Sequence, residues 1–364
     1  MKRQIKQKTA EIQDTLIKSL QDLVKIESVK SDATEDAPYG PKPKEAREKV
    51  LSLAASLGFE TKNFDNKVGY AQMGKGEDYF GIFGHVDVVP LGKGWTKDPY
   101  GSDIVDGKIY GRGVLDNKGP ILSNLYALYV LKEMGMTYPL PIRIVFGTDE
   151  ESGFDCVKHY LTKEKAPVFG WTPDCKWPAI YGERGRAQIR IENHTDLSVF
   201  YSYLNGFILS APNNGVKMGI NFEDEDFGMM ILRGYQLKVE DGVSYFQFAA
   251  SYPAITSKEE IVSQIEKTLP EGLSVSVVSN WDPVLYDKTS DYVQTLKSVY
   301  EDTSGLDGTP LTTTGGTYAK IVPNIIAYGP SFPGQNNIAH LPDEWMDLED
   351  LKLMTEIYAQ SIYA

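Results

Sequence analysis

Cysteine is nearly absent: Cys156 and Cys175 are the only two in 364 residues. Two thiols cannot build a disulfide framework, and their scarcity fits a reducing compartment. Long apolar runs are missing too. No stretch approaches the roughly 18 consecutive apolar residues that mark a membrane-spanning helix. The N-terminus, MKRQIKQKTAEIQDTLIKSL, lacks the apolar centre of a secretory signal. The expected location is therefore the cytoplasm, with no membrane partner. Basic residues are outnumbered, 37 against 50 acidic, for a formal net charge of −13. That balance excludes phosphate-backbone binding, which needs clustered Lys and Arg, so no nucleic-acid partner is expected. What remains is ordinary for a globular chain: 41% hydrophobic and 24% charged residues, with length enough for one or two domains.

Helical spacing of Ile12, Leu16, Leu20, Leu23 and Val24 predicts an amphipathic helix over residues 8 to 26. Pro43 is placed to open a second helix, carrying Ala46, Val50, Leu53 and Leu57. The apolar runs Tyr79 to Phe83, Ile142 to Phe146 and Val168 to Trp171 read as buried strands, with a helix from Pro120 to Met134 between the first two. Strands alternating with helices predict an α/β domain with a central, mostly parallel sheet flanked by helices. The pattern changes near residue 186. Alternating strands and two short helices follow, the second opened by a Ser257 cap, as in a small α+β domain with an antiparallel sheet. The expected division is residues 1–185 and 285–364 as one discontinuous domain, with 186–284 inserted into it.

Several chemistry-bearing groups fall where the predicted strands end. His85 closes one apolar run, where α/β folds place ligands. Asp87, two residues on, can hold the other ring nitrogen of His85 and fix its tautomer. Asp116 stands among glycines just before a predicted helix, in a pattern that fits neither a Walker A loop nor a dinucleotide fingerprint. Asp149, Glu150 and Glu151 end another run, and adjacent carboxylates there are costly unless something positive lies between them. Asp174 ends the next, and His340 lies in a Gly- and Asn-rich loop. Taken singly, each is more often a surface or structural feature. Together they supply imidazoles and carboxylates, the donor types of a dinuclear zinc or manganese site.

The string GHVDVVPLGKGWTKDPYGSDIVDGKIYGRGVLDNKGP resembles the core signature of the M20 metallopeptidases. The segments TDEESG, GERG, GGTYAK and GPSFPGQNNIAHLPDEW strengthen the likeness, the later ones most in the manner of the bacterial dipeptidases of the PepV and Sapep type. The resemblance implies a zinc-peptidase-like catalytic domain and an inserted lid, with two divalent ions, zinc or else manganese or cobalt. By that resemblance His85 and Asp174 hold one ion, Glu151 and His340 the other, and Asp116 bridges both. Glu150 is the implied general base and Asp87 the residue that orients His85. Gly315, Gly316 and Thr317 are implied to line the substrate cleft, and the peptide bond after Asp116 to be cis. The implied activity is hydrolysis of dipeptides or short peptides, with deacylation of N-acyl amino acids, or a metal- or peptide-binding scaffold, as alternatives. A homodimer remains open.

The sequence departs from the family in the insertion, which is shorter than a dipeptidase lid. The family's lid supplies a histidine for the oxyanion and an arginine for the substrate carboxylate. Ser251 stands at the arginine position, and serine cannot make a bidentate clamp. Only His159 and His194 remain beyond the two implied ligands. His159 reads as a surface or packing residue, and His194 falls in a turn where the family histidine is not expected.

Overall fold

The polar N-terminus forms two helices rather than the one its periodicity predicts. Helix α1 (Lys2–Glu11) ends at Ile12, whose φ of −97° and ψ of 0° turn the chain into α2 (Gln13–Val24). No proline or glycine marks that break, so the apolar spacing runs through it. Leu16, Leu20, Leu23 and Val24 are the buried stripe of α2. Helix α3 follows (Pro41–Ser56), with prolines in its first turn, where a missing N–H costs nothing.

The structure is a computed structural model, and it describes all 364 residues. The chain divides into two compact units: residues 1–180, 287–310 and 317–364, and residues 181–286 and 311–316. No helix is long and apolar enough to cross a membrane.

The first unit is built on a sheet. Strands β1 (Glu60–Phe64) and β2 (Val68–Met73) form a hairpin that the apolar pattern did not announce. Its turn residues Asp65 and Asn66 both have positive φ, 51° and 57°, and the Lys67 N–H donates to the Phe64 carbonyl at 2.9 Å. Such a short connection, Asp65 to Lys67, suits Asp and Asn at its positive-φ positions and permits only antiparallel pairing. Strand β3 (Phe80–His85) is followed by α4 (Lys118–Glu133), β4 (Ile142–Gly147), the short α5 (Asp155–Leu161), β5 (Phe169–Thr172) and β6 (Ala179–Glu183).

In the second unit β7 (Gly185–Asn193) leads to α6 (Leu197–Leu204), β8 (Ile231–Glu240), β9 (Val243–Tyr252), α7 (Lys258–Glu266) and β10 (Leu273–Trp281). These strands form an antiparallel sheet in the order β8-β9-β7-β10, as the alternating pattern implied. Ala187, Ile189 and Ile191 of β7 face a core shared with Phe246 and Phe248 of β9, Phe200 of α6 and Ile261 and Ile265 of α7. Both helices are capped by side chains. Asp196 accepts from the Ser198 N–H at 2.6 Å, and Ser257 from the Glu260 N–H at 3.2 Å.

Back in the first unit, α8 (Asp291–Ser304) and β11 (Ile325–Tyr328) precede α9 (Leu348–Tyr363). The sheet of this unit runs β1-β2-β4-β3-β5-β11-β6. It is parallel across β4, β3, β5 and β11 and antiparallel at both flanks. Every residue of β3 and β4 is buried, which is why they read as unbroken apolar runs.

Strands β3 and β5 meet through a glycine pair. Gly81 and Gly170 are in register, and a Cβ at Gly170 would lie 1.8 Å from the Gly81 carbonyl oxygen. Gly170→Ala should therefore destabilise the chain by about 1–3 kcal/mol or more. The check is the urea midpoint of unfolding, and an unchanged midpoint would show that the pair can part without loss.

Candidate metal centre

Three of the chemistry-bearing segments leave the sheet side by side. His85 is the last residue of β3, in register with Gly147, the last of β4, from which Thr148 to Glu151 continue. Thr172 ends β5, in register with Ala327 of β11, and Asp174 lies two residues beyond it. The carboxyl ends of adjacent parallel strands thus present His85, Glu150, Glu151 and Asp174 to one place. Asp116 arrives from the start of α4. A Cβ at Gly84 would stand 2.6 Å from Asn117 Oδ1 and 2.8 Å from Ile121 Cδ1, so glycine there lets α4 lie against the end of β3. The Asp116–Asn117 peptide bond is cis, as the resemblance implied.

The two oxygens of Asp116 face different histidines. Its Oδ1 is 3.0 Å from His85 Nε2, and its Oδ2 is 2.9 Å from His340 Nε2. On the first side Asp174 Oδ2 is 3.7 Å from His85 Nε2; on the second, Glu151 Oε1 is 3.0 Å from His340 Nε2. Donors sharing a tetrahedral ion at about 2.0–2.2 Å lie a little over 3 Å apart, so these spacings suit two cations with Asp116 between them. His85, Glu150 and Asp174 form one cluster whose donor atoms lie within 4.8 Å of one another, and His85, Asp116 and Glu151 form a second.

Charge gives the same reading. Four carboxylates converge on two imidazoles in a largely buried space, where like charges repel strongly. Burial, then repulsion from Asp116, pushes the Asp174 carboxyl up to about 7. Burial and the Asp174 charge raise Glu150 well above the usual carboxylate range, and burial and Asp116 raise Glu151. Burial opposes ionisation of Asp116 as well, yet hydrogen bonds from His340 and His85 outweigh it and hold this carboxyl low. His340, bonded to Asp116 and Glu151, is raised to about 10. The imidazolium protons supply the positive charge that the carboxylates require, and divalent cations would supply more. The donor set therefore fits metal ions.

The surrounding groups have distinct placements. Asp87 meets His85 Nδ1 mainly through its backbone carbonyl, at 2.9 Å, with its carboxylate Oδ1 at 3.4 Å. Its other oxygen accepts the Glu151 N–H at 3.2 Å, so this residue braces two candidate ligands at once. Glu150 is 9% exposed, and its carboxyl makes no hydrogen bond to the protein, which leaves it available to water. Asn117 was not singled out in the sequence. Its amide donates to the Pro173 carbonyl at 2.5 Å and reaches Asp174 Oδ1 at 3.4 Å.

The stretch from Ile26 to Lys30 also braces this region without having been anticipated. Ser28 donates to the Val86 carbonyl at 2.6 Å, the buried Lys118 amine to the Ile26 carbonyl at 2.8 Å, and Lys30 to Asp149 Oδ1 at 2.6 Å. These bonds grip residues one or two positions from Asp87, Asp116 and Glu150. They join groups 58 to 119 positions apart in the chain, so no local pattern could have shown them.

Elsewhere, His159 lies on α5 and pairs with Asp65 at 2.8 Å. In the second unit His194 sits after β7 with Nε2 3.0 Å from Ser274 Oγ, half exposed. Ser251 is buried on β9, and its hydroxyl oxygen has no hydrogen-bond partner. Gly315 and Gly316 are exposed, whereas Thr317 is buried and accepts the Ala319 N–H at 3.1 Å.

Residues 81–364 match the sequence profile of peptidase family M20/M25/M40. A relative named "Putative dipeptidase YtjP", of Bacillus subtilis (strain 168), is 28% identical across 96% of this chain and 97% of its own. That alignment runs over 450 positions, more than the 364 residues of this chain, so the relative carries segments that this chain lacks. Among solved structures, the di-peptidase Dug1p of Saccharomyces cerevisiae has a similar fold, with a TM-score of 0.73 at 15% identity over 100% of this chain and 98% of that one. The YXEP protein of Bacillus subtilis, a dinuclear metal binding peptidase, has a TM-score of 0.65 at 13% identity over 97% and 98%.

The geometry makes the two ion positions separable. The wild-type chain should bind two divalent ions, His340→Ala should retain one, and Asp116→Ala should hold neither tightly. Equilibrium dialysis followed by elemental analysis reads the stoichiometry; two tightly held ions in the Asp116 variant would rule out its bridging place.

Proposed function

Because this chain belongs to peptidase family M20/M25/M40, we propose that it is a two-metal hydrolase that cleaves the peptide bond of dipeptides or short peptides. The observation that carries this reading is the division of the Asp116 carboxylate, with one oxygen toward His85 and the other toward His340. The names of the relatives support a short substrate. We assign His85 and Asp174 to one ion, Glu151 and His340 to the other, and zinc as the metal in both positions.

Two ions held by these residues would lower the pKa of a water and polarise a substrate carbonyl. The rest falls to the protein. Glu150 is assigned to take a proton from the attacking water and, once the C–N bond breaks, to give it to the leaving amine. Its burial and the neighbouring Asp174 raise its carboxyl well above the usual carboxylate range, which makes it a stronger acceptor than an exposed glutamate. Asp87 holds His85 through the ring nitrogen that faces away from Asp116. Gly315, Gly316 and Thr317 are assigned to the substrate cleft, and residues 186–284 to the inserted domain's role in substrate binding.

Substrate recognition at the carboxylate end departs from the family's arrangement. Ser251 cannot form the bidentate clamp of an arginine, and without the family's lid histidine one oxyanion donor is missing. Loss of such a donor costs about 10²–10³ in rate. The chain should therefore be a slow dipeptidase whose KM depends little on a free substrate carboxylate, so a dipeptide and its C-terminal amide should be cleaved with similar KM.

The test is a panel of dipeptides, dipeptide amides and N-acyl amino acids, offered to metal-stripped protein before and after addition of Zn²⁺ or Mn²⁺. Turnover of dipeptides should appear only with metal. Preference for N-acyl amino acids would replace the peptidase reading with a deacylase, and two-ion binding without any turnover would leave a scaffold. Glu150→Gln should keep both ions and lose about 10²–10⁴-fold in kcat; undiminished turnover in that variant would sink the assignment of the base.

A further inference from the structure

Asp116 and His340 come from segments far apart in the chain, and each carries a partner of the other four residues away. Arg112 precedes Asp116 by four, and Glu344 follows His340 by four. The two are about 1% exposed and form an ion pair, Arg112 Nη1 to Glu344 Oε2 at 2.8 Å. Their remaining bonds cross. From the Asp116 segment, the Arg112 guanidinium donates to the carbonyls of His340 and Leu341, each at 3.3 Å. From the His340 segment, Glu344 Oε1 accepts the backbone N–H groups of Gly113, Leu115 and Asp116 at 3.0–3.1 Å. A third segment is tied in through Arg112 Nη2, which donates to the Leu91 carbonyl at 3.2 Å.

His340 needs such a brace more than the other candidate ligands do. His85 ends a buried strand and its side chain is fully covered, whereas the His340 side chain is 51% exposed on a loop. The His340 backbone also lies in the left-handed region, with φ of 65°, a conformation that persists in a non-glycine residue when its surroundings hold it. Buried arginine and carboxylate in this arrangement give fixed, planar, charge-assisted bonds rather than a loose attraction.

We propose that Arg112 and Glu344 are positioning residues that set the distance between Asp116 Oδ2 and His340 Nε2, and so fix the affinity for the second metal ion without touching it. Neither belongs to the donor set of either ion. The inference rests on the two-ion reading of the site. Its consequence is asymmetric: the ion among His85, Asp174 and Asp116 keeps its strand-borne histidine when the clasp is loosened, and the ion held by His340 does not.

The variants are Glu344→Gln, which keeps an acceptor oxygen for the three N–H groups but loses the charge facing Arg112, and Arg112→Lys, which keeps the charge but loses the fork. Each is titrated with Zn²⁺ and Co²⁺ against a chromophoric chelator, and thermal unfolding of the metal-free proteins is recorded alongside. The expected result is one ion bound as in wild type and the other weakened about 10–100-fold, with metal-free unfolding little changed in Glu344→Gln. The visible spectrum of the Co²⁺ protein should lose the intensity that His340→Ala also removes, and adding Glu344→Gln to His340→Ala should weaken metal binding no further. Wild-type affinities for both ions in both variants would overturn the proposal. So would equal weakening of both ions together with a lowered unfolding temperature, since that marks a support of the fold at large. A wild-type chain that binds fewer than two ions would instead fail the two-ion reading itself.

Discussion

Repulsion among buried carboxylates is the constraint around which the first unit is arranged. Asp116, Glu150, Glu151 and Asp174 crowd a space that contains only two imidazoles, and burial raises the carboxyl of Asp174 to about 7 while it drives Glu150 and Glu151 upward too. A protein keeps such a cluster only if cations balance it or its members serve as proton carriers. The sheet supplies the rigidity that the crowding demands. Three donor segments leave adjacent parallel strands, β3 and β4 with their ends level, and Gly84 lets the start of α4 press the Asp116 turn against them.

The candidate ligands differ in how they are held, and that difference organises the rest of the site. His85 and Asp174 are placed by strand ends, by the Asp87 carbonyl on His85 at 2.9 Å, and by Asn117, which holds the Pro173 carbonyl and reaches Asp174. His340 comes from a loop, and its place depends on the crossed bonds of Arg112 and Glu344. The Ile26–Lys30 stretch lies outside the residues matching the family profile, yet it ties down the neighbours of Asp87, Asp116 and Glu150. Positioning by residues that touch no reacting atom accounts for much of the buried polar network around this centre.

The second unit carries the chain's own character. Its sheet and helices enclose an apolar core of the usual kind. Ser251 is buried with its hydroxyl unbonded, and His194 is spent on Ser274 and Glu192 at an exposed turn.

Local patterns in the sequence determined a good deal. The continuous apolar runs of β3 and β4 signalled strands buried on both faces, and the alternation after residue 186 signalled a half-buried antiparallel sheet. Donor-type residues at the ends of apolar runs made His85, Glu150, Glu151 and Asp174 candidates, and the loops before a helix and near the C-terminus, with the family's motifs, added Asp116 and His340. The break at Ile12 and the Asp65–Asn66 hairpin escaped because each depends on turn geometry rather than on hydrophobic period, whereas helix α9 carried a legible period at Leu351, Met354, Tyr358 and Ile362 behind its Asp347 cap and went unread. Only the tertiary structure decided that the two oxygens of Asp116 face opposite histidines, that Asp87 meets His85 chiefly through its carbonyl, and that Arg112 and Glu344 clasp each other's segments. Those are relations between residues up to 232 positions apart; a sequence lists the donors, but the distances between them exist only once the chain has closed.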